Sequence, residues 1–103
     1  MRFPGGPELA ESQNAVRVIE IGKTIYDPVI YLPRRDIKAE LISEAKTTEC
    51  PLKGTASYFG VNGDRKRHES IAWSYLDPHD FAKEIRGLVA FYTDRVVVEE
   101  HPV

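Results

Sequence analysis

The chain has almost no cysteine: Cys50 is the only one in 103 residues. A lone thiol cannot form an internal disulfide, and it excludes zinc sites built on paired Cys-x-x-Cys ligands. No bound metal or cofactor is therefore expected. Long apolar runs are also missing. No segment approaches the roughly 18 apolar residues of a membrane span, and the opening Met1-Arg2-Phe3-Pro4-Gly5-Gly6-Pro7 has no apolar stretch of signal-peptide length. A cytoplasmic location without membrane attachment is the expectation. Excess charge of one sign is lacking too, since 14 basic side chains meet 16 acidic ones for a net −2. The chain as a whole carries no electrostatic footprint for nucleic acid.

What is present reads as an ordinary globular chain, with 42% hydrophobic and 29% charged residues. Its length suits one domain, residues 1–103. Residues 1–13, broken by Pro4, Gly5, Gly6 and Pro7, read as a loosely ordered arm or irregular edge segment. Ala15–Ile21 and Val29–Leu32 are β-branched runs separated by Gly22 and closed by Pro33, and they predict neighbouring strands. Thr55–Val61 and the alternating Ile71-Ala72-Trp73-Ser74-Tyr75 predict two more, as do Leu88–Tyr92 and Val96–Glu99, joined through Thr93-Asp94-Arg95.

Asn62-Gly63 predicts a hairpin with a two-residue type I′ turn, because both central positions of that turn need positive φ. Asp36 before Ile37, Leu41 and Ile42 predicts a short helix capped by Asp36. Asp77-Pro78, with Phe81 and Ile85 on one face and Gly87 beyond, predicts a second. Between them Thr47–Gly54 shows no period and reads as a structured loop. The fold class is thus mainly β with two short helices. Strands this closely spaced leave no room for parallel crossovers, so an antiparallel sandwich or barrel-like sheet is expected.

Cys50-Pro51-Leu52-Lys53-Gly54 is the stretch richest in chemistry. A neighbouring ammonium lowers a thiol pKa, and glycine admits a close backbone approach. In the alternative reading Cys50 is a small apolar residue, Pro51 fixes the loop and Lys53 is solvated. His68, His79 and His101 show no spacing that pairs one of them with Cys50 as a base. Tyr31, Tyr58, Trp73, Tyr75 and Tyr92 offer flat faces and hydrogen-bonding tips for a ligand, or they are core. Glu20, inside an apolar strand, needs Lys53 or Arg17 as a partner if it points inward. Arg65-Lys66-Arg67-His68 reads as a solvated basic turn without the interleaved aromatics that stack bases.

The ordered set Tyr31-Leu32-Pro33, Thr48-x-Cys50-Pro51-x-Lys53-Gly54-x-Ala56-Ser57-Tyr58, Ala72-Trp73-Ser74-Tyr75-x-x-Pro78 and Ala90-Phe91-Tyr92 resembles the domain-of-unknown-function 427 family from about Arg2 to Val98. The resemblance implies a β-tent-like fold and carries a provisional nucleotidyltransferase-like label. The paired acidic residues of two-metal nucleotidyl transfer are not recognisable here. Leu52 stands where relatives often carry an aromatic, and Phe59 where a second Tyr or Trp is frequent. The function expected is a small-molecule-binding module lined by Glu20, Tyr31, Cys50, Lys53, Tyr58, Trp73 and Tyr75. The alternatives are an enzyme using Lys53 with Glu20 or Tyr58 as an acid/base pair, and a structural or partner-binding protein.

Overall fold

The computed structural model describes residues 1–3, 8–18, 29–51, 53–63 and 67–99. Glu20 lies outside the described residues, as do the end of the first predicted strand and Arg65 and Lys66 of the basic stretch, whose Arg67 and His68 open β5. Six strands form one antiparallel sheet: β1 (Val16–Val18), β2 (Val29–Leu32), β3 (Ile42–Cys50), β4 (Gly54–Asn62), β5 (Arg67–Ser74) and β6 (Val89–Phe91). Their order is β1-β2-β6-β5-β4-β3, so the last strand is inserted between β2 and β5. The predicted mainly antiparallel β class is the observed one. No helix among the described residues is long and apolar enough to cross a membrane.

The sheet separates two kinds of side chain because successive strand residues point to opposite faces. Leu32, Phe59, Val61, Ala72, Val89 and Phe91 meet Phe3, Leu9, Ala10 and Val96 on one face, and Ile71, beside the β4–β5 register shift and the positive φ of Ser70, departs from the alternation to join the same cluster. Tyr31, Ala56, Tyr58, Tyr75 and Ala90 pack on the other, covered in part by Ile85, Ala82 and Leu88. β6 is buried along its whole length. An apolar side chain such as Phe91, fully withdrawn from water, contributes about 1.5–3 kcal/mol.

Several expectations are corrected. The helix after Asp36 is absent: Arg34–Asp36 is one 3₁₀ turn, and Ile42 opens β3. The amides of Lys38 and Ala39 donate to the Leu9 carbonyl at 2.7 and 3.2 Å, while Asp36 accepts from Ser12 Oγ at 2.7 Å. The N-terminal segment thus takes the hydrogen bonds that a helix would have used. Residues expected as a loose arm or edge, Phe3, Leu9 and Ala10, sit in the core.

The Thr47–Gly54 loop is instead the end of β3, a short turn and the start of β4, with Thr48 opposite Ala56 and Cys50 opposite Gly54. Its missing period reflects an edge strand exposed on both faces. Asn62 pairs with Arg67, so the connection there spans 63–66 and is not a two-residue type I′ turn. The second predicted helix is a 3₁₀ segment, Asp80–Ile85, whose N-cap is His79, and the Asp77 carboxylate pairs with Arg86 at 2.9 Å. Val96–Glu99 is not a strand beside β6. Val97 bridges to Arg2 through bonds of 2.9 and 2.6 Å.

A carboxylate clamps the irregular part of the sheet. Glu44 of β3 accepts from Ser70 Oγ at 2.6 Å and from the Ser70 amide at 2.8 Å, and Ser70 holds φ at 51°. These bonds, the hydroxyl's first, hold the Glu44 carboxyl below its ordinary value. The bonds pass over Gly60, where a Cβ would stand 2.9 Å from the Glu44 carboxylate.

The β3–β4 turn is fixed differently: Gly54 adopts φ +117°, and the Lys53 carbonyl accepts the His79 amide at 2.9 Å. A Cβ at position 54 would meet the Asp77 carbonyl at 3.4 Å. Gly54→Ala is therefore expected to cost about 1–3 kcal/mol through its backbone conformation. Urea unfolding checks this, and an unchanged midpoint would contradict the strained turn.

Candidate functional site

Register builds the site. Val16 pairs with Tyr31, Tyr31 with Ala90, Ala90 with Trp73 and Trp73 with Tyr58, which makes one cross-strand row over five strands on the same face. Directly paired residues on a sheet bring their side chains into contact range. At the middle of the row stands Ala90, fully buried, with only a methyl group. Neighbouring strands lie about 4.8 Å apart, so Tyr31 and Trp73 stand on either side of that methyl group. The Trp73 indole partly offsets the upward push that burial gives the Tyr31 phenol.

The rest of the cluster is joined through one polar tip and through packing. Thr48 Oγ1 and the Tyr58 hydroxyl lie 2.9 Å apart. Tyr92, just after β6, packs its ring on Trp73 with centroids 4.6 Å apart and planes at 49°. Tyr75, two residues beyond Trp73, packs in the same cluster as Cys50. Lys46 of β3 places its Nζ 4.5 Å from the centroid of the Tyr58 ring. No buried side-chain nitrogen or oxygen among the described residues lacks a partner.

Burial sets the electrostatics. It pushes the Tyr75 phenol far above the ordinary tyrosine range, with Tyr31, Cys50 and Tyr58 adding to the shift. Tyr31 and Tyr92 are also raised, chiefly by burial. Lys53 is lowered from the ordinary lysine range for the same reason, since desolvation disfavours its charged form. The face thus gathers phenol and indole groups beside Cys50, bordered by the Lys46 and Lys53 side chains.

Of the seven residues predicted from sequence, Tyr31, Cys50, Tyr58, Trp73 and Tyr75 fall in this one cluster. Lys53 stands in the turn after Cys50, partly buried. His68, one of the histidines considered as a base for Cys50, stacks on Phe3 at 4.0 Å, and Phe3 belongs to the opposite face. Thr48, Lys46 and Ala90 were not among the predicted site residues. The alternation Val89-Ala90-Phe91-Tyr92 carries the signal for Ala90, which shares the face of Tyr92 by period 2. Lys46 and Thr48 carry none, because nothing in an aperiodic polar stretch shows which aromatic it will face.

A mainly antiparallel sheet with one aliphatic and one tyrosine-rich face defines the class of protein. The chain belongs to a family described as a domain of unknown function (DUF427), whose model matches residues 3–101. None of the curated proteins compared with the chain matches it. Among the described residues no group of three or more His, Cys, Asp and Glu side chains is close enough to hold a metal ion.

The raised phenols give a pH test. A group whose folded pKa exceeds its unfolded one stabilises the fold below the unfolded value, about 10 for tyrosine, and loses that contribution as pH rises towards the folded value. Stability should fall above about pH 10, less steeply in Tyr75→Phe than in the wild type. Ultraviolet titration of tyrosinate should show Tyr75 ionising only with unfolding. Ionisation of all five tyrosines at the ordinary pH in the folded protein would contradict the burial described.

Proposed function

We propose that this chain is a small-molecule-binding module whose site is the aromatic face formed by Tyr31, Cys50, Tyr58, Trp73 and Tyr75, with Lys53 at its end. The observation that carries the reading is the row Tyr31–Ala90–Trp73–Tyr58, in which a single methyl group separates two large aromatic side chains with polar tips. Flat apolar surface with a few convergent hydrogen-bonding groups is the usual makeup of a ligand site. Glu20 belongs to the proposal on sequence grounds alone. A cytoplasmic setting and the β-tent-like arrangement implied by the family resemblance are parts of the same reading.

The chain's one tryptophan lies in this site, so the protein reports on itself. In a metabolite library screened by thermal shift, compounds that raise the melting temperature are expected to change Trp73 emission as well. Their effect should shrink at least about tenfold in affinity when Tyr92→Leu removes the ring packed on the indole, a loss of about 1.4 kcal/mol. Stabilising compounds that leave Trp73 emission unchanged would place binding elsewhere and overturn the proposal.

A second reading is favoured by Lys53, whose lowered pKa suits a general base. On that reading Lys53 works with Tyr58 or Glu20. The Tyr58 hydroxyl is already engaged by Thr48, which weighs towards binding over acid/base chemistry. NMR titration of the Lys53 side chain should give a value below that of free lysine, about 10.4, and an ordinary value would remove the enzymatic reading.

A further inference from the structure

Lys46 is exposed on the edge strand β3, yet its ammonium rests on an aromatic ring. Among the described residues it makes no salt bridge. The acidic side chains on its own strand are occupied elsewhere: Glu44 by Ser70, and Glu49 by Thr55 Oγ1 at 2.9 Å. The Nζ stands 4.5 Å from the Tyr58 centroid, inside the roughly 6 Å over which a ring face attracts a cation.

The surroundings of that ring suit a cation larger than a lysine head. Tyr58 is paired across strands with Trp73, and Tyr92 meets the indole at 49°. The ammonium sits over the Tyr58 ring, and Trp73 and Tyr92 continue the aromatic surface from there in differently inclined planes. The Tyr58 hydroxyl lies 2.9 Å from Thr48 Oγ1, which fixes the position of that ring. Quaternary and other alkylammonium groups are recognised by aromatic arrangements of this kind, because they shed water more readily than a primary ammonium.

From this we infer that the Tyr58 ring, with Trp73 and Tyr92 beside it, is a seat for the alkylammonium group of a small organic cation, and that Lys46 fills it as an internal competitor when no ligand is bound. The inference deepens the binding-module reading and rests on it. Ligand entry requires only that one exposed side chain swing away. The sheet itself stays as it is.

Choline and tetramethylammonium chloride, titrated against Trp73 emission at ionic strength held constant with sodium chloride, test the seat. Saturable binding is expected in the wild type. It should tighten about two- to fivefold in Lys46→Gln, the factor that one exposed cation–π contact is worth. Lys46→Arg, which keeps a resident cation, should stay near the wild type. Both changes are at an exposed position, so folding is not at issue. Tyr58→Leu in the Lys46→Gln background should abolish the response, with circular dichroism confirming the fold. Equal affinities in Lys46→Gln and Lys46→Arg would overturn the competitor role. Neutral compounds that perturb Trp73 while neither cation does so in any variant would overturn the cation seat and leave the binding module standing. No response from either cations or the neutral library would sink both.

Discussion

The register at β6 is the constraint on which the rest depends. Val89, Ala90 and Phe91 are held between β2 and β5 with every side chain buried. The alternation along those three residues decides which face each neighbour must take. Val89 and Phe91 commit Leu32 and Ala72 to the aliphatic face, and Ala90 commits Tyr31 and Trp73 to the other. A slip of one residue would exchange the two faces, placing phenols in the aliphatic core and phenylalanine among hydrogen-bonding tips. Both exchanges cost free energy, so the faces and the register specify each other.

That separation lets the sheet bury polar aromatics without penalty. On that face Tyr92 packs on Trp73, Trp73 pairs across strands with Tyr58, and the Tyr58 hydroxyl bonds to Thr48, while Tyr31, Tyr75 and Cys50 pack in the same cluster. The partners come from β2, β3, β4 and β5 and from the segments after β5 and β6, so the cluster ties remote parts of the chain together. The Asp80–Ile85 segment closes over the same face through Ile85 and Ala82. The face is thereby tyrosine-rich and continuous across the strands.

Much of this could be read from the residues. The alternation Ile71-Ala72-Trp73-Ser74-Tyr75 announced its strand and put Trp73 and Tyr75 on one face, as observed, but Ile71, beside the irregularity at Ser70, packs in the aliphatic cluster instead. The β-branched Val29–Leu32 was equally plain. Failures came where partners distant in sequence set the local structure. Ile37, Leu41 and Ile42 have helical spacing, but the Leu9 carbonyl captures the backbone between them. Thr47–Cys50 has no period because an edge strand has no buried face to impose one. Asn62-Gly63 has the chemistry of a tight turn, yet β4 and β5 shift register after Phe59 and pair Asn62 with Arg67. At the site, the aromatics were legible as a set, whereas the methyl group of Ala90 and the ammonium of Lys46 became meaningful only through the strand order.

The measurement that bears most directly on the account is a fragment screen followed by two-dimensional NMR of the labelled protein. Shift changes concentrated on Tyr31, Cys50, Tyr58, Trp73, Tyr75 and Tyr92 are the predicted result. Changes confined to the polar groove between Glu11–Asn14 and Arg35–Lys38, or to the opposite, aliphatic face, would contradict it.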